Sequence, residues 1–330
     1  MKSIFILAAV SCCAFAQNWQ PNVTNARLEI RAFSGDLAAQ LKSDTPVWFG
    51  YAAAAVSGQH SGDCRCKLEG GWEQSADRGP VRLEDPGAVA VLFRVSSSGV
   101  EKIQVHAVSC QIDAGGMRLI WLTGVSPEAS LAFLEKNART AAEPDGAMVA
   151  IALHNHPEAD SILERFTRSS EPRRLREKAT FWLGASRGER GQEILSRILA
   201  ADPDPDMRDK AVFALSLNMK PKALALIERA AREDSSSQVR SQALFWLAQR
   251  AGDRASSAIQ NAIENDPDTE VKKRAVFALS QIPGDEGVTK LIEVARTQRN
   301  PEVRKQAFFW LGQSRNPRAL EFIEQTLEAR

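Results

Sequence analysis

The sequence predicts a mainly α protein: a solenoid of six helix pairs over residues 138–330, a small α+β domain over 17–137, and an export signal over 1–16. Three observations predict this. A six-residue run recurs without gaps every 32 residues: Ala179–Gly184, Ala211–Ser216, Ala243–Ala248, Ala275–Ser280 and Ala307–Gly312. Self-similarity at a fixed period of this length marks stacked supersecondary units. Residues 17–137 lack the repeat and carry β-rich runs between turn signals, and the N-terminus has the tripartite pattern of a cleaved leader.

The leader comes first. Lys2 supplies the positive end, residues 4–10 a short apolar core, and Ala14-Phe15-Ala16 a small-x-small cleavage site before Gln17. The expected location is the periplasm or the outside of the cell. A lipoprotein signal at Ala9-Val10-Ser11-Cys12 is the weaker alternative, because the usual leucine three residues before the cysteine is missing. After the leader, the sequence has no apolar run long enough to span a bilayer. The net charge is +1, and neither half carries the basic excess of a nucleic-acid binder.

In the α+β domain, residues 26–33 predict a strand, and Ser34 is placed to cap a short helix reaching Lys42. Residues 46–51, Pro-Val-Trp-Phe-Gly-Tyr, predict a second strand or buried segment. Residues 57–87, rich in Gly, Ser, Asp and Arg, predict a long loop. Residues 88–95 and 101–109 predict a hairpin turning at Ser96-Ser-Ser-Gly99. Asp113-Ala-Gly-Gly116 predicts a turn into a strand at 117–122, and Ser126-Pro-Glu-Ala129 opens a helix to about Lys136.

From residue 138 each unit predicts two helices. The register holds an N-cap column (Asp204, Ser236, Asp268, Asn300), an apolar column (Leu175, Met207, Val239, Val271, Val303) and a basic column (Arg176, Arg208, Arg240, Lys272, Arg304). The first pair is degenerate but in register, with Ala147–Ile151 standing 32 residues before Ala179. Each pair exposes apolar faces on both sides, so stacking buries them in one continuous core. The repeats resemble HEAT repeats of the short type found in phycobilisome-lyase-like proteins, exported bacterial members included. The resemblance rests on the Pro301-Glu-Val-Arg304 and Val239-Arg240 entries and the Ala-x-x-x-Leu-Gly-like end of the first helix. It implies an α-solenoid and leaves the function open between scaffold and enzyme.

The basic column and Asp202, Asp234 and Asp266, which recur at the same period, predict a stacking ladder of guanidinium and carboxylate groups. Phe181, Phe213, Phe245, Phe277 and Phe309 form an aromatic column turned away from the Ala and Leu core positions, either buried against other helices or exposed as a partner surface. Beside it, Trp182, Ala214, Trp246, Ala278 and Trp310 alternate large with small. Such alternation fills a seam that two adjacent indoles would overfill. In HEAT solenoids the second helices normally line the concave face, which places Arg197, Arg229 and Asn261 there as further candidate partner contacts.

The expected function is therefore an exported, non-catalytic scaffold that binds a protein or peptide, without a cofactor. The last repeat, with Phe308, Phe309 and Trp310, offers a surface for self-association. The alternative is a lyase-like or metal-dependent enzyme, or a small-ligand protein, with its site in the N-terminal domain or at the first repeat. A Cys/His set of His60, Cys64, Cys66, His106 and Cys110 would supply metal ligands. Against it, the usual Cys-x2-Cys spacing is absent, and export favours a disulfide from Cys110 to Cys64 or Cys66. His154 and His156 sit in the predicted turn of the first pair, where solvated side chains are expected. Deoxyhypusine hydroxylase, an enzymatic HEAT relative, uses His-Glu pairs, and none of the four histidines here precedes a glutamate.

Overall fold

The computed structural model describes residues 19–56, 65–69, 87–140, 145–218, 220–251, 255–282 and 284–328. The leader, Gln17, His60, Cys64 and most of the predicted 57–87 loop lie outside these residues. Two compact units meet at Phe133/Leu134.

The first unit contains β1 (Asn22–Thr24), β2 (Arg27–Ala32), α1 (Leu37–Gln40), β3 (Val47–Ala54), β4 (Arg65–Lys67), β5 (Ala88–Ser96), β6 (Gly99–Ala107), β7 (Gln111–Asp113) and β8 (Arg118–Thr123). Helix α2 (Pro127–Thr140) crosses the boundary. Five strands form a mixed sheet in the order β2-β8-β3-β5-β6, and three short ones a parallel sheet in the order β1-β7-β4. The central strands β3 and β5 are almost wholly buried, which is why both read as continuous apolar runs rather than alternating ones. Their core gathers Trp48, Leu92, Leu119 and Trp121. Gly50 is required there, since a Cβ would lie 2.7 Å from Leu92 Cδ2 and 3.0 Å from the Trp121 ring.

Three local expectations change. Asp36, not Ser34, caps α1, accepting from the Ala38 N–H at 3.2 Å. Strand β4 forms within the segment expected to be loop, because β7 offers it a parallel partner edge. The β5–β6 turn is tighter than expected, with Gly99 at φ +101° already starting β6.

The second unit consists of helix pairs: α3 (Asp145–Leu153) with α4 (Pro157–Phe166), α5 (Arg173–Ser186) with α6 (Gly188–Ala201), and α7 (Pro205–Ser216) with α8 (Pro221–Glu233). Then follow α9 (Ser237–Ala251) with α10 (Ser256–Asn265), α11 (Thr269–Ser280) with α12 (Asp285–Thr297), and α13 (Pro301–Gln313) with α14 (Pro317–Glu328). The sequence columns become the core: Leu175, Met207, Val239, Val271 and Val303 are fully buried, as are Ala179, Ala211, Ala243, Ala275 and Ala307. Asp204, Asp268 and Asn300 each accept from the N–H two residues on, at 3.0, 2.8 and 3.0 Å. No helix among the described residues is long and apolar enough to cross a membrane.

The ladder forms as read. Arg176 reaches Asp202 at 2.5 Å, Arg208 grips both oxygens of Asp234 at 2.9 Å, and Arg240 grips Asp266 at 2.7 and 3.0 Å. Each carboxylate also accepts the N–H two residues on, fixing the entry to the next repeat (3.0, 2.8 and 2.9 Å). The last seam is different: Gln298 stands where the aspartate would be, and Lys272 donates instead to the Glu264 carbonyl at 2.8 Å.

From repeat to repeat, the first helices pack closely on one another while the second helices stand further apart. The close approach rests on small residues: a Cβ on Gly184 would sit 2.1 Å from the Ala214 carbonyl oxygen.

Candidate aromatic interaction face

The layer of first helices carries the aromatic column. Because the Ala and Leu positions of each first helix turn into the core, the third position of the run turns to the free side of the layer. Phe181 and Phe309 are 38% and 53% exposed, and Phe213, Phe245 and Phe277 are half-buried. Both readings of the column hold in part: these rings lie against each other and still present a face to solvent.

Their contacts form an unbroken series of eight rings. Trp182 meets Phe181 at 5.2 Å between centroids, Phe181 stacks on Phe213 at 6.2 Å, and Phe213 meets Trp246 at 4.9 Å. Trp246 meets Phe245 at 5.1 Å, Phe245 stacks on Phe277 at 6.3 Å, and Phe277 meets Trp310 at 4.9 Å, with Phe309 at 5.0 Å closing the series. All separations lie in the range where aromatic pairs attract beyond their area burial. The large–small alternation sets the pattern: Ala214 and Ala278 make room for the Phe of their own helix to lean on the next helix's Trp. The indole N–H groups of Trp246 and Trp310 are buried without a hydrogen-bond partner, each at a cost of about 1–3 kcal/mol.

A groove of about 640 Å³ opens on this face between α9 and α11. Its lining includes Phe245 and Phe277, the polar Gln238, Ser241 and Gln242, and Arg274. Glu270, also in the lining, accepts from Lys273 at 2.9 Å. In the neighbouring seam, burial raises the Asp209 carboxyl above its ordinary range, against the lowering effect of a Gln238 hydrogen bond. One of its oxygens is buried without a partner. Amide, hydroxyl, guanidinium and ring groups of this kind recognise a surface by contact and hydrogen bonding.

The other predicted residues lie elsewhere. Arg197, Arg229 and Asn261 are exposed on the second helices, in the opposite layer from the phenylalanines. Arg197 pairs with Glu164, and Asn261 accepts from Asn265 at 2.7 Å. In the first unit, Cys66 and Cys110 share a small buried cluster with Ala107. Cys66 is a free thiol that burial pushes up to about 11, so it is not a thiolate at neutral pH. His106 lies on β6, half-buried, 3.2 Å from Gln104 Oε1, and burial lowers its basicity. Among the described residues no group of three or more His, Cys, Asp or Glu could hold a metal ion.

His154 and His156 belong to the second unit, and the solvated pair expected there is not found. His154 is buried, its Nδ1 2.6 Å from the Ala150 carbonyl, and burial pushes its pKa down to about 4. His156 caps α4, its Nδ1 accepting from the Glu158 N–H at 3.3 Å. Arg187 braces the same turn, donating to Asp160 at 2.6 Å and to the His154 carbonyl at 2.7 Å. Sequence reading passed over Asp209, Gln238, Gln242 and Arg274. Their signal was available, since they stand three to seven residues before the Phe of their own helix and so share its face.

Comparison with known proteins gives HEAT repeats over residues 159–248, 223–307 and 256–330, together more than half of the 330 residues. No curated protein matches the chain. Solved structures similar to it include human deoxyhypusine hydroxylase in complex with glycerol, at 17% identity over 60% of this chain and 89% of that one, with a TM-score of 0.32. A chain of the structure in which Kap95p binds RanGDP is 16% identical over 62% of this chain and 33% of that one, with a TM-score of 0.41. The complex of CpcE and CpcF of phycocyanin lyase from Nostoc sp. PCC7120 gives 18% identity over 57% and 76%, with a TM-score of 0.33.

Proposed function

The chain belongs to the HEAT-repeat family, and from that premise we propose that it is an exported, non-catalytic scaffold that holds a protein partner against the aromatic face of its first helices. The observation that carries this reading is the series of eight touching rings along the layer of first helices, partly open to solvent at Phe181 and Phe309. A contiguous apolar strip rimmed by Gln, Ser and Arg has the make-up of a partner surface, with rings at the centre and polar groups at the edge. Arg197, Arg229 and Asn261 then form a separate face on the second helices, available to a second contact.

Export is supported by Lys2, the apolar residues 4–10 and the Ala14-Phe15-Ala16 site. A disulfide between Cys110 and Cys64 belongs to the same reading, because Cys66 is the free thiol and an oxidising compartment would close the remaining pair.

The test is affinity capture from the exported fraction with the wild-type chain, a Phe213→Lys/Phe277→Lys variant and an Arg229→Ala variant. A protein retained by the wild type and by Arg229→Ala, and lost with the double lysine variant at unchanged helicity, supports the reading. An identical retained set for all three would refute it.

A further inference from the structure

Three consecutive first helices repeat a second signal on the aromatic face: Phe245 with Gln249, Phe277 with Gln281, and Phe309 with Gln313. Residues four apart stand one above the other on a helix, so each carboxamide lies one turn beyond its ring on the same side. The two earlier repeats have Ala185 and Leu217 at this place, which confines the array to α9, α11 and α13. The first two amides touch: Gln249 Nε2 donates to Gln281 Oε1 at 3.3 Å, and Gln281 Nε2 donates to the Ser280 hydroxyl at 3.0 Å.

The larger cavity opens on the N-terminal side of the rings, and a smaller one beside the amides. The groove of about 640 Å³ is bounded by Phe245, Phe277 and Arg274. A second cavity of about 310 Å³ is lined by Gln281, Gln313 and Trp310, the ring that packs on Phe277. Arg274 is exposed in the larger groove and enters no ion pair among the described residues, while its neighbour Glu270 is already matched by Lys273. The groove therefore presents an unmatched positive charge beside two rings.

A primary carboxamide offers both a donor and an acceptor, as a peptide group does. Neighbouring packed helices stand ~8–10 Å apart, and an extended chain rises ~3.3 Å per residue. A row of one glutamine per helix thus meets an extended chain at about every third residue, leaving the residues between free to place side chains in the cavities. Backbone contacts would supply affinity and the cavities selectivity, the division seen wherever extended segments are recognised.

Taking the first-helix face as the partner surface, we infer that the array binds an extended segment of the partner protein. Gln249, Gln281 and Gln313 hold its backbone. A bulky apolar side chain lies on Phe245 and Phe277, and a carboxylate side chain pairs with Arg274.

The experiment probes the full chain with an array of synthetic decapeptides varied in aromatic, acidic and basic content, followed by titration of the best binder. The expected result is selection of Asp or Glu close to a large apolar residue, with Arg274→Glu reversing the preference toward Lys or Arg. Methylating alternate backbone nitrogens of the best peptide, which leaves the protein untouched, should weaken binding at least tenfold. The Gln249→Ala/Gln281→Ala/Gln313→Ala variant should do the same, and Glu321→Ala on α14 should leave affinity unchanged. Equal binding of the N-methylated peptide overturns the backbone row. A charge preference indifferent to Arg274→Glu overturns the pairing, and an array with no binder overturns the inference as a whole. None of these results decides whether the face holds a folded partner, which the Phe213→Lys/Phe277→Lys capture reads separately.

Discussion

Replacing Asp234 by Gln should destabilise the solenoid at one seam by about 3 kcal/mol. In the native seam the Asp234 carboxylate takes two hydrogen bonds from Arg208 at 2.9 Å and one from the Ser236 N–H at 2.8 Å, with both charged side chains almost buried. Removing one partner of a buried pair costs about 3–5 kcal/mol, because the other charge stays behind without its counterion. The lower end applies here, since Arg208 keeps the Asp202 carbonyl at 2.9 Å. The chain supplies its own control: the last seam already carries Lys272 and Gln298 in these places. The double variant Arg208→Lys/Asp234→Gln should therefore recover about 1–2 kcal/mol relative to Asp234→Gln alone. Urea unfolding followed by tryptophan fluorescence measures the difference, and hydrogen exchange locates it at the α7–α9 seam. Burial pulls the Asp234 pKa upward, and the Arg208 hydrogen bonds outweigh that, so the folded value lies below the ordinary one. A lowered carboxyl pKa gives stability that is complete above the unfolded value of about 3.9 and is lost as pH falls through the folded value. The cost of Asp234→Gln should accordingly shrink below about pH 4. A single variant within 0.5 kcal/mol of wild type, additive with Arg208→Lys, would refute the account of the ladder as what fixes the stacking.

Gly184 and Gly312 occupy the same column but should respond oppositely to alanine. Gly184→Ala drives a methyl into the Ala214 carbonyl and should cost about 1–3 kcal/mol, whereas Gly312, with nothing within 4 Å, should gain about 0.5–1 kcal/mol; urea midpoints of the two variants check this. His154 is neutral when buried, with a pKa near 4 against an ordinary 6.5. Its contribution is complete above pH 6.5 and declines toward pH 4 by about 3 kcal/mol in total, so His154→Gln should flatten the pH dependence of unfolding in that window. Phe309, Leu320 and Leu327 are 53%, 60% and 67% exposed at the last pair, and any concentration-dependent rise in sedimentation coefficient should disappear in Phe309→Lys.

Legibility followed periodicity. Every solenoid helix could be placed because 32-residue spacing repeats cap, core and ladder residues, so one weak signal is seen three to five times. The first unit offers each signal once. β4 was hidden in the 57–87 segment because a three-residue strand owes its existence to a partner edge rather than to its own composition. His154 was misjudged for a related reason: adjacency to a turn suggested solvent, while Arg187, in the α5–α6 turn of the next repeat, closes that turn. The aromatic column was visible, but the unbroken contact of its rings was not. That contact depends on how closely the first helices pack, which the small residues at their ends decide.

That closeness is itself written in the column that ends each first helix: Gly184, Ser216, Ala248, Ser280 and Gly312. Side chains this small let neighbouring first helices approach until a Cβ at Gly184 would strike backbone. The second helices carry Ile194, Leu195, Ile227, Ile259 and Leu291 on their buried faces and stand further apart. Close approach brings each Phe within ring contact of the next helix's Phe or Trp, at 4.9–6.3 Å. The tight stacking of the first helices and the aromatic strip along them therefore have a common cause. Enlarging the small column should loosen the ring series and the stacking together, while truncating one ring should leave the stacking intact.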